Sequence, residues 1–293
     1  QTAQIAAITT SQAQALTSAQ AVSLQTKQVA AIVTADMAAL TTLVVSSLTS
    51  EQIVALRTDQ VFALKTQQAV ALTTDQLLAM ETADFAALST SAIAALATYT
   101  VSVLSSADII ALSSAQAQAI TTQQAYALTT AQVAAMETRD AASLSTSSIA
   151  ALRTLQVVAL TSADIIALRT DQAQALTTQQ VFALTGTQLV AMETADFAAL
   201  STDAIAALQT AQVVALTSAD IIALRTDQAY ALTTQQAFAL TTAQLVALQT
   251  ADFAAISTDD IAALQTAQVL ALTSALVVAE PRNADTPAAS GAV

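Results

Sequence analysis

Cysteine, histidine and tryptophan are absent from the 293-residue chain, and glycine and proline occur twice each. Each absence removes a class of function. Without histidine there is no imidazole base and no Ser-His triad. Without cysteine or histidine the usual zinc and iron ligand sets are missing, and with no cysteine there is no disulfide to mark a redox compartment. Two glycines are too few for phosphate-cradling loops or for a fold rich in left-handed turns. Charge is scarce as well, at 10% of residues, and it is one-sided: 21 Asp and Glu against 8 Lys and Arg, a net of −13. A nucleic-acid binder needs a basic stripe to displace counterions, and anionic lipid would repel this chain too. Mean hydropathy is positive, at +0.59, yet Thr, Ser, Gln or Asp interrupts every apolar run well short of the ~18 residues of a membrane span. The expectation is a protein with no catalytic residues, no metal and no cofactor, binding no nucleic acid and spanning no membrane. Gln1 reads as a processed start or as part of a longer chain.

Repetition dominates what is present. Written in blocks of eight from Gln1, residues 1–280 form 35 octads without an insertion, as in Arg57–Leu64 and Thr129–Met136. The eighth position is Leu, Ile or Met in 34 of 35 octads, with Glu280 ending the array; the second is Thr or Ser in 34 of 35, the exception being Gly186. The fourth position is usually Gln or Asp, the fifth apolar, and the seventh nearly always Ala or Ser.

Positions 5 and 8 share a face of a helix but oppose one another on a strand. The composition, rich in Ala, Leu, Gln and Met, favours helix. One continuous helix fails, however. Eight residues overshoot two whole turns by about 80°, so the leucine stripe would wind round the rod. Each octad therefore has to restart its helix, and the near-invariant second position reads as the N-cap that restarts it, with Gly186 a tolerated substitute. Asp84, Asp108, Asp164, Asp196, Asp220 and Asp252, at fourth positions, fall in the first turn, where the positive dipole end favours them. Where the first position is also Thr, as in Thr129-x-x-Gln132, a capping box is available instead. A helix of about six residues is unstable alone. Stacked octads sharing a core of fifth- and eighth-position side chains make an all-α solenoid of very short helices. A β-solenoid is the alternative.

A longer period overlies the octad. Asp108, Asp164 and Asp220 recur at 56 residues, as do Met80, Met136 and Met192; Phe85, Phe197 and Phe253 follow the same ladder, with Ala141 at the missing rung. Seven octads thus make one of five super-repeats. They record either gene duplication or a whole number of superhelical turns that brings residues 56 apart to one side. Sixth-position aromatics (Phe62, Tyr126, Phe182, Tyr230, Phe238) fall only in the first two octads of a super-repeat, and the Arg-Thr-Asp triplets at Arg57, Arg169 and Arg225 only in the first. These eight residues are the candidate contact sites, the aromatics being either partly buried packing or exposed contacts. Ala97–Thr100, Thr41–Val45 and Gly186 depart from the repeat, and none holds a catalytic constellation. Asp259–Asp260 reads as a solvated helix start rather than an acid–base pair. Pro281–Val293, with both prolines, reads as a disordered tail or linker.

Leu48-Thr-Ser-Glu-Gln-Ile-Val-Ala-Leu56 resembles the opening helix of the DNA-binding repeats of TAL effectors. The octad length and the acidic balance separate this chain from their function. Leu-Thr-Thr-x-Gln-Val-x-Ala-Leu arrays, as at Leu128–Met136, resemble the repeat regions of large bacterial surface, adhesin-like and filament-forming proteins. That resemblance implies an extracellular structural role through self-association into a rod or filament. A surface-binding module, whether adhesin or ice-binding, is the alternative, with a host or environmental surface as partner.

Overall fold

The computed structural model describes residues 2–279. Among them there is no strand, which removes the β-solenoid, and thirty-four helices run from α1 (Thr2–Ala6) to α34 (Thr266–Ala279). The first thirty-three have four to six residues and stand one to an octad. The stretch read as a tail, 281–293, lies outside the described residues. The chain divides between Leu184 and Thr185 into two compact units, built on the same plan.

The corner falls one residue earlier than expected. The N-cap is the first position of the octad, in extended backbone, and the second position is already the first helical residue: Thr129 caps α17 (Thr130–Ala135) and Thr185 caps α24 (Gly186–Ala191). Gly186 is therefore not a cap. A Cβ there would meet Ala215 Cβ at 3.4 Å, an ordinary contact. A first-position hydroxyl caps by itself, as Thr41 and Ser89 do ahead of Val44 and Ala92; a glutamine at the fourth position adds a return bond. Gln132 Oε1 accepts the Thr129 backbone N–H at 2.7 Å, while Thr129 Oγ1 accepts the Gln132 N–H at 3.2 Å, a capping box. Where the cap is Arg57, with no hydroxyl, its N–H still donates to Gln60 Oε1 at 2.8 Å. A fourth-position glutamine brings the cap with it, whereas Glu81, Glu137 and Glu193, ahead of a fourth-position Asp, open their helices with no side-chain cap bond.

The glutamine has a second half. Gln132 Nε2 donates to the carbonyls of Val101 and Leu104, both at 2.8 Å, on α13 (Thr98–Val103) and its C-cap four octads earlier. Gln76, Gln180, Gln236 and Gln244 repeat this at the same offsets of 31 and 28 residues. Helix packing, in contrast, runs between octads three apart, as α16 (Thr122–Ala127) with α19 (Thr146–Ala151) and α29 (Thr226–Tyr230) with α32 (Thr250–Ala255). An octad that rests on the third before it and caps the fourth belongs to a coil of about three and a half octads. Two coils then take seven octads, so within each unit the 56-residue super-repeat is two turns, and residues 56 apart share a side.

Fifth- and eighth-position side chains fill the coil axis as expected; Ile109, Leu128, Leu144 and Leu189 are buried, as are Phe85 and Phe197 and the small rung Ala141. The fourth-position amides and carboxylates are buried with them, Gln60, Gln156 and Gln172 completely. Asp cannot reach or donate to the coil before it. Asp84 and Asp164 instead accept from second-position hydroxyls 26 residues earlier, Thr58 at 2.7 Å and Thr138 at 2.8 Å. In α34 the break fails altogether: the octad beginning at Thr273 carries Leu276 at its fourth position, and the helix runs through 14 residues.

Replacing Gln132 with Leu keeps the volume but takes the side-chain partner from the Leu104 carbonyl and the Thr129 N–H, while the Val101 carbonyl keeps the Leu104 N–H. A buried group left unpaired costs about 1–3 kcal/mol, so Gln132→Leu is expected to lose at least about 2 kcal/mol in urea unfolding. Thr130→Ser, at the first helical position, is expected to change stability by less than about 0.5 kcal/mol.

Candidate functional site

With the core at positions 5 and 8 and the polar links at position 4, the sixth position faces out. All five sixth-position aromatics are exposed, from 51% at Phe182 to 71% at Phe62. Of the two readings open from the sequence, partly buried packing is not the one the structure adopts: the rings stand in the open. Each stands in the last turn of a helix that the fourth-position residue has just restarted.

Tyr126 sits between two open grooves. On one side it meets Thr98, Thr122 and Gln123; on the other it lines a groove of about 850 Å³ with Arg153, Leu155 and Thr178. The Arg153 guanidinium lies 5.5 Å from the Tyr126 ring centre and donates to the Leu128 carbonyl at 2.9 Å, an attraction between cation and ring face. In the second unit Phe238 lines an equivalent groove of about 770 Å³ with Thr210, Thr234, Gln235 and Gln265. Thr98, Thr122, Gln123 and Tyr126 map onto Thr210, Thr234, Gln235 and Phe238 with a shift of 112 residues, two super-repeats. The lining is hydroxyl, amide and apolar.

The three candidate arginines turn inward along their own unit. Arg57 grips Asp59 through two bonds, at 2.9 and 3.1 Å, and Arg169 and Arg225 grip Asp171 and Asp227 in the same way. Each also donates to a sixth-position carbonyl 27 residues earlier, those of Ala30, Ala142 and Ala198. They are clamps between coils, which the triplet pattern did not reveal. Gln249 and Gln265 make the same 27-residue link to Ile222 and Phe238. The bond from Arg holds the Asp59, Asp171 and Asp227 carboxyls below the ordinary aspartate range.

Reading by sequence gave the fourth-position glutamine its capping box, as at Thr129 and Gln132, but missed its second bond, to the coil before. The signal available was the side chain itself, an amide that donates and accepts on one group. Asp259 and Asp260 part as expected: Asp259 is exposed, but Asp260 is buried and bonded to Ser257 Oγ at 2.6 Å. Among the described residues no group of three or more acidic side chains is placed to hold a metal ion, and no helix is long and apolar enough to cross a membrane.

A family model for the ALTTAQ repeat matches residues 29–66, 77–114, 101–138, 133–170 and 189–226, together more than half of the chain. The chain belongs to the ALTTAQ repeat family. Every match begins at a fifth position and ends at a second, so the family keeps the octad register. The six letters themselves stand at Ala127–Gln132 and Ala239–Gln244. The ALTTAQ motif thus spans the corner rather than the helix: core leucine, N-cap, first helical residue and the amide that links coils. No curated protein matches the chain.

The clamp predicts its own titration. A carboxyl with a depressed pKa stabilises the fold above its unfolded pKa, and that contribution is lost as pH falls through the lower, folded value. The Asp171 carboxyl resonance is expected to titrate below the ordinary aspartate range and to return to it in Arg169→Gln. An unchanged midpoint in that variant would refute the clamp. Because the pair is exposed, the effect on overall stability is expected to be small.

Proposed function

We propose that this ALTTAQ repeat protein is a structural protein that self-associates, forming a rod or filament at the cell exterior. The observation that carries the reading is the outward stance of the sixth-position aromatics on a lattice whose own polar groups are met internally. Large apolar side chains held in water by a regular scaffold mark contact surface. The wall between them, of Thr, Gln, Ser and Ala, suits close packing of one copy on another. The extracellular setting rests on the resemblance to the repeat regions of bacterial surface proteins.

Net charge opposes association of identical chains, and salt screens it. Sedimentation of the full chain from micromolar to millimolar concentration is expected to show concentration-dependent assembly, stronger at 0.5 M NaCl than at 0.02 M. A single monomeric species throughout would defeat the proposal. Electron micrographs of the same samples are expected to show elongated particles.

A further inference from the structure

At the third position nearly every octad carries a small or polar residue. The large apolar exceptions are Leu43, Tyr99 and Leu155, spaced by 56. Midway between them, at sixth positions, stand Val70, Tyr126 and Phe182, so that one large apolar side chain follows another every 27 or 29 residues. The coil is about 28 residues, which places one on each successive coil of the unit ending at Leu184. All six are exposed, Leu43 at 69%, Tyr99 at 63% and Leu155 at 70%, and Tyr126 and Leu155 line the same groove. Two of the departures noted in the sequence, Thr41–Val45 and Ala97–Thr100, are octads of this ribbon.

The ribbon octads are also free of acid, as are 1–32, 89–96, 113–120, 129–136 and 145–152 in the same unit. Residues 41–48, 65–72, 97–104, 121–128, 153–160 and 177–184 hold none of the 21 acidic side chains, and they hold two of the cations, Lys65 and Arg153. We propose that this ribbon is the face on which a second copy of the chain docks, ribbon to ribbon. The inference rests on the self-association proposed above and names its surface. Two bodies each carrying −13 meet at least cost where neither presents acid. An occupant must also offer an apolar contact once per coil, and the ribbon of a second copy does so in register. The contact is isologous, related by a two-fold axis. At roughly 100 Å² from each of the six side chains, two copies would bury on the order of 1,200 Å², the lower end of stable interfaces.

The test is sedimentation equilibrium of the full chain carrying Leu43→Glu, Tyr99→Glu and Leu155→Glu. The third position accepts such residues, since Glu51 and Asp75 occupy it elsewhere. The dissociation constant is expected to rise at least tenfold with the helical dichroism unchanged. Ile110→Gln with Ile166→Gln, exposed sixth positions off the ribbon, is expected to stay within twofold of the parent. Should the triple variant lose helicity, Tyr99→Gln with Leu155→Gln serves in its place, Gln67 and Gln123 being third-position residues already. Parent and ribbon variants assembling alike would overturn the ribbon while leaving self-association standing, and an equal weakening in the off-ribbon control would overturn it too. A parent that never assembles would remove both.

Discussion

A carboxamide that serves two helices at once is the interaction on which the rest of this structure depends. A helix of six residues has almost no interior: nearly all its N–H and C=O groups belong to one end or the other. Burying such helices against each other leaves those groups facing protein rather than water, at a cost of several kcal/mol per helix unless each finds a partner. Gln132 meets one N–H at the start of its own helix and two carbonyls at the end of the helix in the coil before. Side chains that only accept or only donate cannot do this. The octads with Asp show the difference, because Asp164 caps its own start but receives a hydroxyl, Thr138, from the neighbouring coil. The link between coils survives there with its direction reversed.

Much of this was legible from the sequence. The octad, the restarted helix and the core at positions 5 and 8 follow from periods and from the 100° step of the helix, while the 56-residue period was visible with its cause left open between duplication and superhelical turns. What was misread was which of two adjacent hydroxyls caps as a rule: the Thr129–Gln132 capping box pointed to the first, the near-constancy of the second position away from it. Thr129 and Thr130 are chemically alike, and the first position caps even where no glutamine follows, as at Thr41 and Ser89. Invariance misled here. The second position is nearly constant but caps no helix, while the first varies and, ahead of a glutamine as at Arg57, still has its N–H met. The arginine triplets misled in a similar way: Arg57 and Asp59 look like surface charge in a linear reading, and only the 28-residue coil brings the Ala30 carbonyl beneath the guanidinium. Interactions across coils are invisible until the number of octads per turn is known, and that number is half-integral.

The half-integer has a consequence for surfaces. With three and a half octads to the coil, an octad lies between two octads of the coil below, never squarely on one. A given octad class therefore returns to the same side only every second coil, and a continuous stripe must be written in two classes of octad at two positions. That is how third-position Leu43, Tyr99 and Leu155 interleave with sixth-position Val70, Tyr126 and Phe182. Neither set alone looks like a stripe in the sequence.

The polar links do not by themselves fix the coil at this size. Every octad offers fifth- and eighth-position carbonyls, and almost every one a second-position hydroxyl, so a coil one octad tighter or wider would satisfy the same glutamines. The core limits the coil by volume. Gln116 reaches back to the Ala86 and Leu88 carbonyls of the helix that carries Phe85, and Gln228 to the Ala198 and Leu200 carbonyls of the helix that carries Phe197. The fifth-position residues beside those glutamines are Ala117 and Ala229, both wholly buried. On their other side the phenylalanine helices pack against the octads three ahead, those of Ile109 and Ile221, so each phenylalanine helix meets one octad with a large fifth residue and one with a small. A coil one octad wider would enlarge the centre with no larger side chain to fill it, and each missing methylene adds a cavity term. Hydrogen bonds make coils stack; the volume of the fifth- and eighth-position side chains keeps a coil from widening.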